Sequence, residues 1–127
     1  MPKTVLIVDD EESVRFLYTR MFKNEVKSGE FILDFSISGE DALTRIKDGK
    51  IENLGLIISD INMPGLSGFE LLKEVKEHDE KLPIFMSSAY TDQERQGLAM
   101  ELGALEYITK PVDFPSLKKK IVEILAD

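Results

Sequence analysis

Apolar runs that each end in a polar or charged residue constrain the fold of this chain more than any other feature. The largely apolar residues 56–59 lead to Asp60, and a Pro-Gly turn follows at residues 64–65. Residues 4–8 form a similar run that ends in four acids at residues 9–12. Runs without polar alternation are typical of strands that are covered on both faces, as in a parallel sheet. The chain is therefore predicted to contain buried parallel strands with polar ends.

Five such strands are predicted, and segments with helical periodicity separate them. The strands are expected at residues 4–8, 31–37, 56–60, 83–87 and 105–109. The first helix is expected to bury one face, which carries Val14, Leu17, Tyr18, Met21 and Phe22. The later helices are expected to begin at Ser38, at capping boxes over residues 67–70 and 91–94, and at Asp113. This alternation predicts one α/β domain, residues 1–127, with a (βα)5 doubly wound five-stranded parallel sheet and helices on both faces.

Composition excludes several classes of function. The formal net charge of −8 disfavours direct nucleic-acid binding, because phosphate backbones are repelled by an acidic surface. The chain has no cysteine, which removes disulfides and thiolate chemistry. No apolar run approaches the roughly 20 residues of a membrane span, and the N-terminus does not resemble a signal peptide. We therefore expect a cytoplasmic protein with no membrane or nucleic-acid partner.

The ends of the predicted strands bring chemically complementary groups to one edge of the sheet, beside the switch point in strand order. Asp9 and Asp10 follow the first strand, Asp60 ends the third, Ser88 follows the fourth and Lys110 follows the fifth. Carboxylates that lie close together raise each other's pKa unless a cation intervenes. A set of hard oxygen ligands without His or Cys suits Mg²⁺, and Mn²⁺ would also suit it.

The same groups suit phosphoryl transfer. A carboxylate such as Asp60 is a competent nucleophile and would form an aspartyl-phosphate. Lys110 can pair with that carboxylate at rest and with phosphoryl oxygens later. The hydroxyl of Ser88 can donate to a remaining oxygen, and such transfer depends mainly on positioning and charge stabilisation.

Four motifs in chain order resemble the receiver domain of two-component response regulators, the CheY-like proteins with a flavodoxin-like fold. They are Val8-Asp9-Asp10-Glu11, Asp60-Ile61-Asn62-Met63-Pro64-Gly65, Ser88-Ala89 and Lys110-Pro111. The resemblance covers essentially the whole chain, with the expected element between each pair of motifs. The stretch between Asp10 and Asp60 is a few residues longer than is usual in that family.

The resemblance implies a role for each of these residues. Asp60 would accept a phosphoryl group from a histidine kinase or a His-phosphotransfer protein. Mg²⁺ would be held by Asp60, by Asp10 directly, by Asp9 through a water and by the backbone carbonyl of Asn62. The remaining roles fall to Ser88 as switch hydroxyl, Tyr107 as switch aromatic and Lys110 as phosphoryl contact, with a cis Lys110–Pro111 bond.

The resemblance also implies how such a chain would signal. Phosphorylation would change the surface formed by the fourth predicted helix, the fifth strand and the last helix, and an unidentified downstream protein would recognise that surface. The chain would then be a switch that gains and loses its own phosphoryl group, and not a turnover enzyme. The alternative is a receiver domain cut from a longer regulator whose output domain binds DNA or is an enzyme.

Some assignments have competing interpretations. Asp9 and Asp10 would also suit the N-cap of the first helix, where Asp is favoured. Ser87 competes with Ser88 for the switch hydroxyl, and Tyr107 would also suit an ordinary half-buried strand position. Among other α/β classes, an FMN-binding flavodoxin would meet an acidic first loop, and a P-loop motif is absent from the sequence. A haloacid-dehalogenase-type phosphatase would carry a second Asp where Asn62 stands.

Overall fold

The computed structural model describes residues 2–126 and contains one five-stranded parallel sheet. The strands are β1 (Thr4–Val8), β2 (Ile32–Ser36), β3 (Leu54–Asp60), β4 (Ile84–Ser88) and β5 (Glu106–Thr109). The helices are α1 (Glu12–Met21), α2 (Lys23–Lys27), α3 (Gly39–Lys47), α4 (Gly68–His78), α5 (Gln93–Glu101) and α6 (Phe114–Leu125). Within the described residues, no helix is both long and apolar enough to cross a membrane.

The strand order β2-β1-β3-β4-β5 confirms the predicted doubly wound sheet. All four neighbouring pairs are parallel, so every strand ends at the same edge of the sheet. The order reverses between β1 and β3, which makes the crevice beyond their carboxyl ends the expected place for a ligand.

The sheet separates two hydrophobic clusters because successive residues of a strand point to opposite faces. On one face, Ile7, Ile58 and Phe85 pack with residues of α1 and α6. On the other face, Val8 and Met86 pack with residues of α3, α4 and α5. Strands buried on both faces explain why the sequence shows continuous apolar runs instead of alternation.

The first crossover differs from the single amphipathic helix that the sequence predicts. It consists of two helical segments that meet at Phe22, whose backbone leaves the helical region at φ −108° and ψ 19°. Tyr18 and Phe22 are buried as expected, but Leu17 is 43% exposed and Met21 is 44% exposed. The prediction that all of these apolar residues of the first helix lie in the core is therefore wrong. Only part of the apolar face of α1 is in contact with the sheet and its neighbours.

The helix starts match the sequence in all but one case. Ser67 and Glu70 form the predicted capping box of α4, in which each side chain binds the other residue's backbone N–H. For α5 the prediction of a capping box at residues 91–94 is wrong. The N-cap is Asp92, whose carboxylate accepts from the Arg95 backbone N–H, because the helix begins one residue later than predicted.

Candidate functional site

Three carboxylates meet at the carboxyl ends of β1 and β3, as the sequence predicts. Ligand oxygens of Asp9, Asp10 and Asp60 all lie within 4.8 Å of one another. Asp9 and Asp60 are buried, whereas Asp10 is exposed at the rim. The parallel neighbours β1 and β3 end at the same edge of the sheet, which brings these residues together.

Lys110 reaches the same cluster from the end of β5. Its Nζ lies 3.0 Å from Asp9 Oδ2 and 3.3 Å from Asp60 Oδ1, so one ammonium pairs with two buried carboxylates. Its backbone N–H donates to the carbonyl of Ser88 at 2.9 Å, which fixes the end of β5 against that of β4. The Lys110–Pro111 peptide bond is cis, as the resemblance implies.

Burial and neighbouring charges both shift the pKa values of Asp60 and Lys110. Burial raises the pKa of the Asp60 carboxyl above its usual value; the Lys110 ammonium opposes this shift and Asp9 adds to it. Burial alone would lower the pKa of Lys110. Its hydrogen bond with Asp9 and the charges of Asp60 and Asp9 outweigh burial, so the pKa lies above its usual value. The site therefore holds a cation beside a carboxylate that is costly to leave charged without a counterion.

The structure contradicts the competing interpretation of Asp9 and Asp10 as the N-cap of α1. The N-cap residue is Glu11, and its side chain makes no capping hydrogen bond. Asp9 Oδ1 accepts from the Glu11 backbone N–H at 2.9 Å, which orients the Asp9 carboxylate at the strand end. The acidic pair is thus held by the loop that precedes the helix.

The start of α4 packs directly behind Asp60. The Gly68 N–H donates to the Ile61 carbonyl at 2.9 Å, and a Cβ at position 68 would overlap the carbonyl oxygen of Asp60. Glycine is therefore required here by the close approach of two backbone segments. The turn before it contains Gly65 with φ +75°, a backbone conformation that residues with a Cβ rarely adopt.

Tyr90, in the loop between β4 and α5, connects the three remaining predicted site residues. Ser88 Oγ accepts from the Tyr90 backbone N–H at 3.0 Å. The Asn62 amide donates to the Tyr90 hydroxyl at 3.1 Å, and the Tyr107 hydroxyl donates to the Tyr90 carbonyl at 2.7 Å. The Arg95 guanidinium lies 4.0 Å from the centre of the Tyr90 ring. No pattern along the chain indicates these contacts of Tyr90.

Ser87 is the residue that sequence reasoning placed least well. It was weighed only as a substitute for Ser88, yet it is the direct neighbour of Asp60 across β3 and β4. Ser87, Asp60 and Lys110 line one cavity of about 360 Å³ on the α1 side of the sheet. The alternation of residues along β4 predicts that Ser87 lies on the same face as Phe85. Its pairing with Asp60, however, depends on the register between β3 and β4, which the sequence of one strand does not determine.

The chemistry of the donor set fits a hard divalent cation. Asp9, Asp10 and Asp60 offer oxygen atoms only, and the exposure of Asp10 leaves room for water ligands, which Mg²⁺ tends to retain. The residues from 2 to 126 contain no group of three or more metal-binding side chains other than this one. Next to it, Lys110 supplies a positive charge that pairs with Asp9 and Asp60.

Comparisons with known proteins agree with this arrangement. The sequence matches the family described as the response regulator receiver domain over residues 5–122. The chemotaxis protein CheY of Halobacterium salinarum is 34% identical over 125 residues, which cover 98% of this chain and 98% of that protein. The alkaline phosphatase synthesis transcriptional regulatory protein PhoP of Bacillus subtilis is also 34% identical over 125 residues, which cover 98% of this chain and 49% of that protein.

The relatives differ in length, whereas the solved structures agree in fold. The chain spans half or less of the length of the first curated relatives that it matches. A chain in the CheX–CheY–BeF3–Mg complex of Borrelia burgdorferi superposes with a TM-score of 0.86 at 28% identity, covering 100% of this chain and 92% of that one. With the sheet topology and the acidic strand ends already established, the conclusion is that this chain belongs to the response regulator receiver domain family.

Proposed function

We propose that this chain is the phosphoacceptor module of a two-component phosphorelay, with Asp60 as the residue that receives the phosphoryl group. The observation that carries the proposal is the placement of Asp60. Its carboxylate is buried at the end of a central strand, clustered with Asp9 and Asp10, and paired with Lys110 at 3.3 Å. Membership of the receiver family supports this assignment, because the family match over residues 5–122 includes Asp9, Asp10, Asp60 and Lys110.

The proposed donor is the phosphohistidine of a histidine kinase or of a His-phosphotransfer protein. An oxygen of Asp60 attacks the phosphorus, a P–O bond forms, and the P–N bond breaks with its electron pair returning to the imidazole. Lys110 moves from the Asp60 carboxylate to the oxygens of the phosphoryl group and offsets their charge. The product stays on the protein, so the chain acts as a switch and not as a turnover enzyme.

Mg²⁺ would be held by Asp60, by Asp10 directly, by Asp9 through a water and by the backbone carbonyl of Asn62. When bound, the ion supplies positive charge that offsets the acidic cluster and the phosphoryl oxygens. Asp9 is already oriented by its hydrogen bond with the Glu11 N–H, so it needs little rearrangement to serve in this way.

The switch is proposed to act through the loop that contains Tyr90. The hydroxyl of Ser88 moves toward the phosphoryl group and loosens its present bond with the Tyr90 N–H, which lies at 3.0 Å. Tyr107 is bonded to the carbonyl of the same residue, so its environment changes with the loop. An unidentified downstream protein then recognises the altered surface of α5, β5 and α6.

The test is phosphorylation by acetyl phosphate, followed by intact mass measurement. We expect the wild-type chain to gain one phosphoryl group in the presence of Mg²⁺, as an acid-stable and base-labile adduct. Asp60→Asn should remain unlabelled, and so should the wild-type chain when the metal is removed with a chelator. Asp48→Asn is the matched control, because Asp48 is an exposed acid at the end of α3. Unchanged labelling of Asp60→Asn would refute the assignment.

A second setting for the same function is that of a receiver domain within a longer regulator. The match covers 49% of PhoP, which supports this setting. It covers 98% of the halobacterial CheY, which supports a receiver that acts through a separate protein. The phosphoacceptor chemistry is the same in both settings. They differ in the output, which would be a DNA-binding or enzymatic domain in the first case and a separate protein in the second.

A further inference from the structure

The hydroxyl of Ser87 is the one buried side-chain polar atom in residues 2–126 that lacks a hydrogen-bond partner. Ser87 is only 4% exposed, so the hydroxyl is removed from bulk solvent. Buried polar groups in native proteins are nearly always paired, and each exception calls for a reason. A hydrophobic side chain would fill this strand position without that penalty.

The position of Ser87 places its hydroxyl beside the proposed nucleophile. Ser87 and Asp60 are paired residues in the parallel strands β4 and β3, and paired residues point to the same face of a sheet. That face is the one on which Ile58 and Phe85 pack with α1 and α6. Both side chains line the cavity of about 360 Å³, together with Lys110.

Lys110 is the side-chain donor to the Asp60 carboxylate in the unphosphorylated protein. The ammonium lies 3.3 Å from Asp60 Oδ1. In the proposed function, Lys110 leaves Asp60 for the phosphoryl oxygens. The carboxyl oxygen of Asp60 that does not carry phosphorus then loses its ammonium donor but keeps a lone pair beside the proposed Mg²⁺, and Ser87 is the paired residue of the neighbouring strand with an unpartnered hydroxyl.

We propose that Ser87 is a catalytic hydrogen-bond donor that promotes loss of the phosphoryl group from Asp60. This inference rests on the proposed function. In the hydrolytic step, water attacks the phosphorus, the P–O bond to Asp60 breaks and the electron pair returns to the carboxylate. Inorganic phosphate departs and the extra proton of the water passes to solvent. Negative charge builds up on both carboxyl oxygens, so a donor to one of them binds the transition state more strongly than the phosphorylated state.

The test compares phosphoryl lifetimes in variants of equal shape. After labelling with acetyl phosphate and Mg²⁺, the acetyl phosphate is removed. The loss of the phosphoryl group from the protein is then followed by intact mass. Ser87→Thr keeps the hydroxyl, and Ser87→Val replaces it with a methyl group of similar size. We expect decay in Ser87→Thr to match the wild type within about twofold, and decay in Ser87→Val to be about three- to tenfold slower, as for the loss of one hydrogen bond.

Thermal unfolding of the same variants separates this role from a structural one. Since the hydroxyl has no partner at rest, Ser87→Val should be no less stable than Ser87→Thr. Equal decay in the Thr and Val variants would overturn the inference, and so would faster decay in Ser87→Val. Failure of the wild-type chain to label would instead contradict the proposed function, and this inference with it.

Discussion

Helices α4 and α5 each follow a central strand that contributes residues to the site, yet the sheet holds them very differently. α4 buries four of its residues and begins with a complete capping box. α5 buries one residue, and its N-cap is a single carboxylate that binds one backbone N–H. The buried residues are Gly68, Leu71, Leu72 and Val75 in α4, and Ala99 in α5.

The difference indicates which part of the site is fixed and which part can move. The first residue of α4 donates to the Ile61 carbonyl and lies so close to Asp60 that a Cβ there would overlap the Asp60 carbonyl oxygen, so a shift of this helix would disturb Asp60. α5 is held near its start by polar contacts at the surface, chiefly those of Asp92 and Arg95. Segments with few buried apolar contacts open and rearrange at low free energy. The acidic site is thus bounded by a firmly packed helix on the α4 side and by a more mobile one on the α5 side.

Removing one leucine from each helix gives the largest expected contrast. Leu72 of α4 is fully buried, and Leu98 of α5 is 41% exposed. Leu72→Ala should lower the free energy of unfolding by about 2–5 kcal/mol, because it leaves a cavity in the core. Leu98→Ala should change it by about 0.5 kcal/mol or less, as is usual for surface positions. Urea unfolding measures both, and similar losses in the two variants would show that α5 is as firmly packed as α4.

Replacing one glycine in each helix by alanine should change the free energy of unfolding by a smaller amount, and in opposite directions for the two helices. Gly68→Ala would push a methyl group into the backbone of Asp60 and Ile61, which should destabilise the protein by about 1–3 kcal/mol. Gly97 lies within α5, and no atom lies within 4 Å of a Cβ built there. Gly97→Ala should therefore stabilise the protein by about 0.5–1 kcal/mol through helix propensity.

The same pair distinguishes an effect on the site from an effect on stability. Gly68→Ala should also slow labelling by acetyl phosphate, measured at a temperature where the variant is fully folded, because the backbone of Asp60 has to shift. Gly97→Ala should label at the wild-type rate. Normal labelling of a destabilised Gly68→Ala would mean that the position of the Asp60 carboxylate does not depend on its contact with α4.

The fold and the acidic cluster were predictable because both follow from patterns along one chain. Apolar runs identify buried strands, and the carboxyl ends of parallel strands share an edge, so Asp9, Asp10, Asp60 and Lys110 were expected together. Helical periodicity was less informative about α1. It shows which residues share a face, but it does not show how much of that face a neighbour covers, and Leu17 remains half-exposed for this reason.

Contacts between distant segments were not predictable in the same way. The pairing of Ser87 with Asp60 depends on the register of two strands, and a shift of one residue would place Ser87 on the other face. The connecting role of Tyr90 depends on a loop conformation set by hydrogen bonds with residues 28 and 17 positions away. The local cap of α5 was predicted one residue too early, since both Thr and Asp suit an N-cap and the N-cap is Asp92.

Removal of the Tyr90 hydroxyl is the smallest change and the sharpest test of the contrast between the helices. Tyr90→Phe deletes the acceptor of the Asn62 amide but keeps the ring that lies beside Arg95. The bond is exposed, so global stability should fall by about 1 kcal/mol or less. The bond also links the loop before α4 to the loop before α5. Amide hydrogen exchange should therefore become faster at the start of α5 and stay unchanged in α4, and equal acceleration in both helices would contradict a rigid α4 beside a compliant α5.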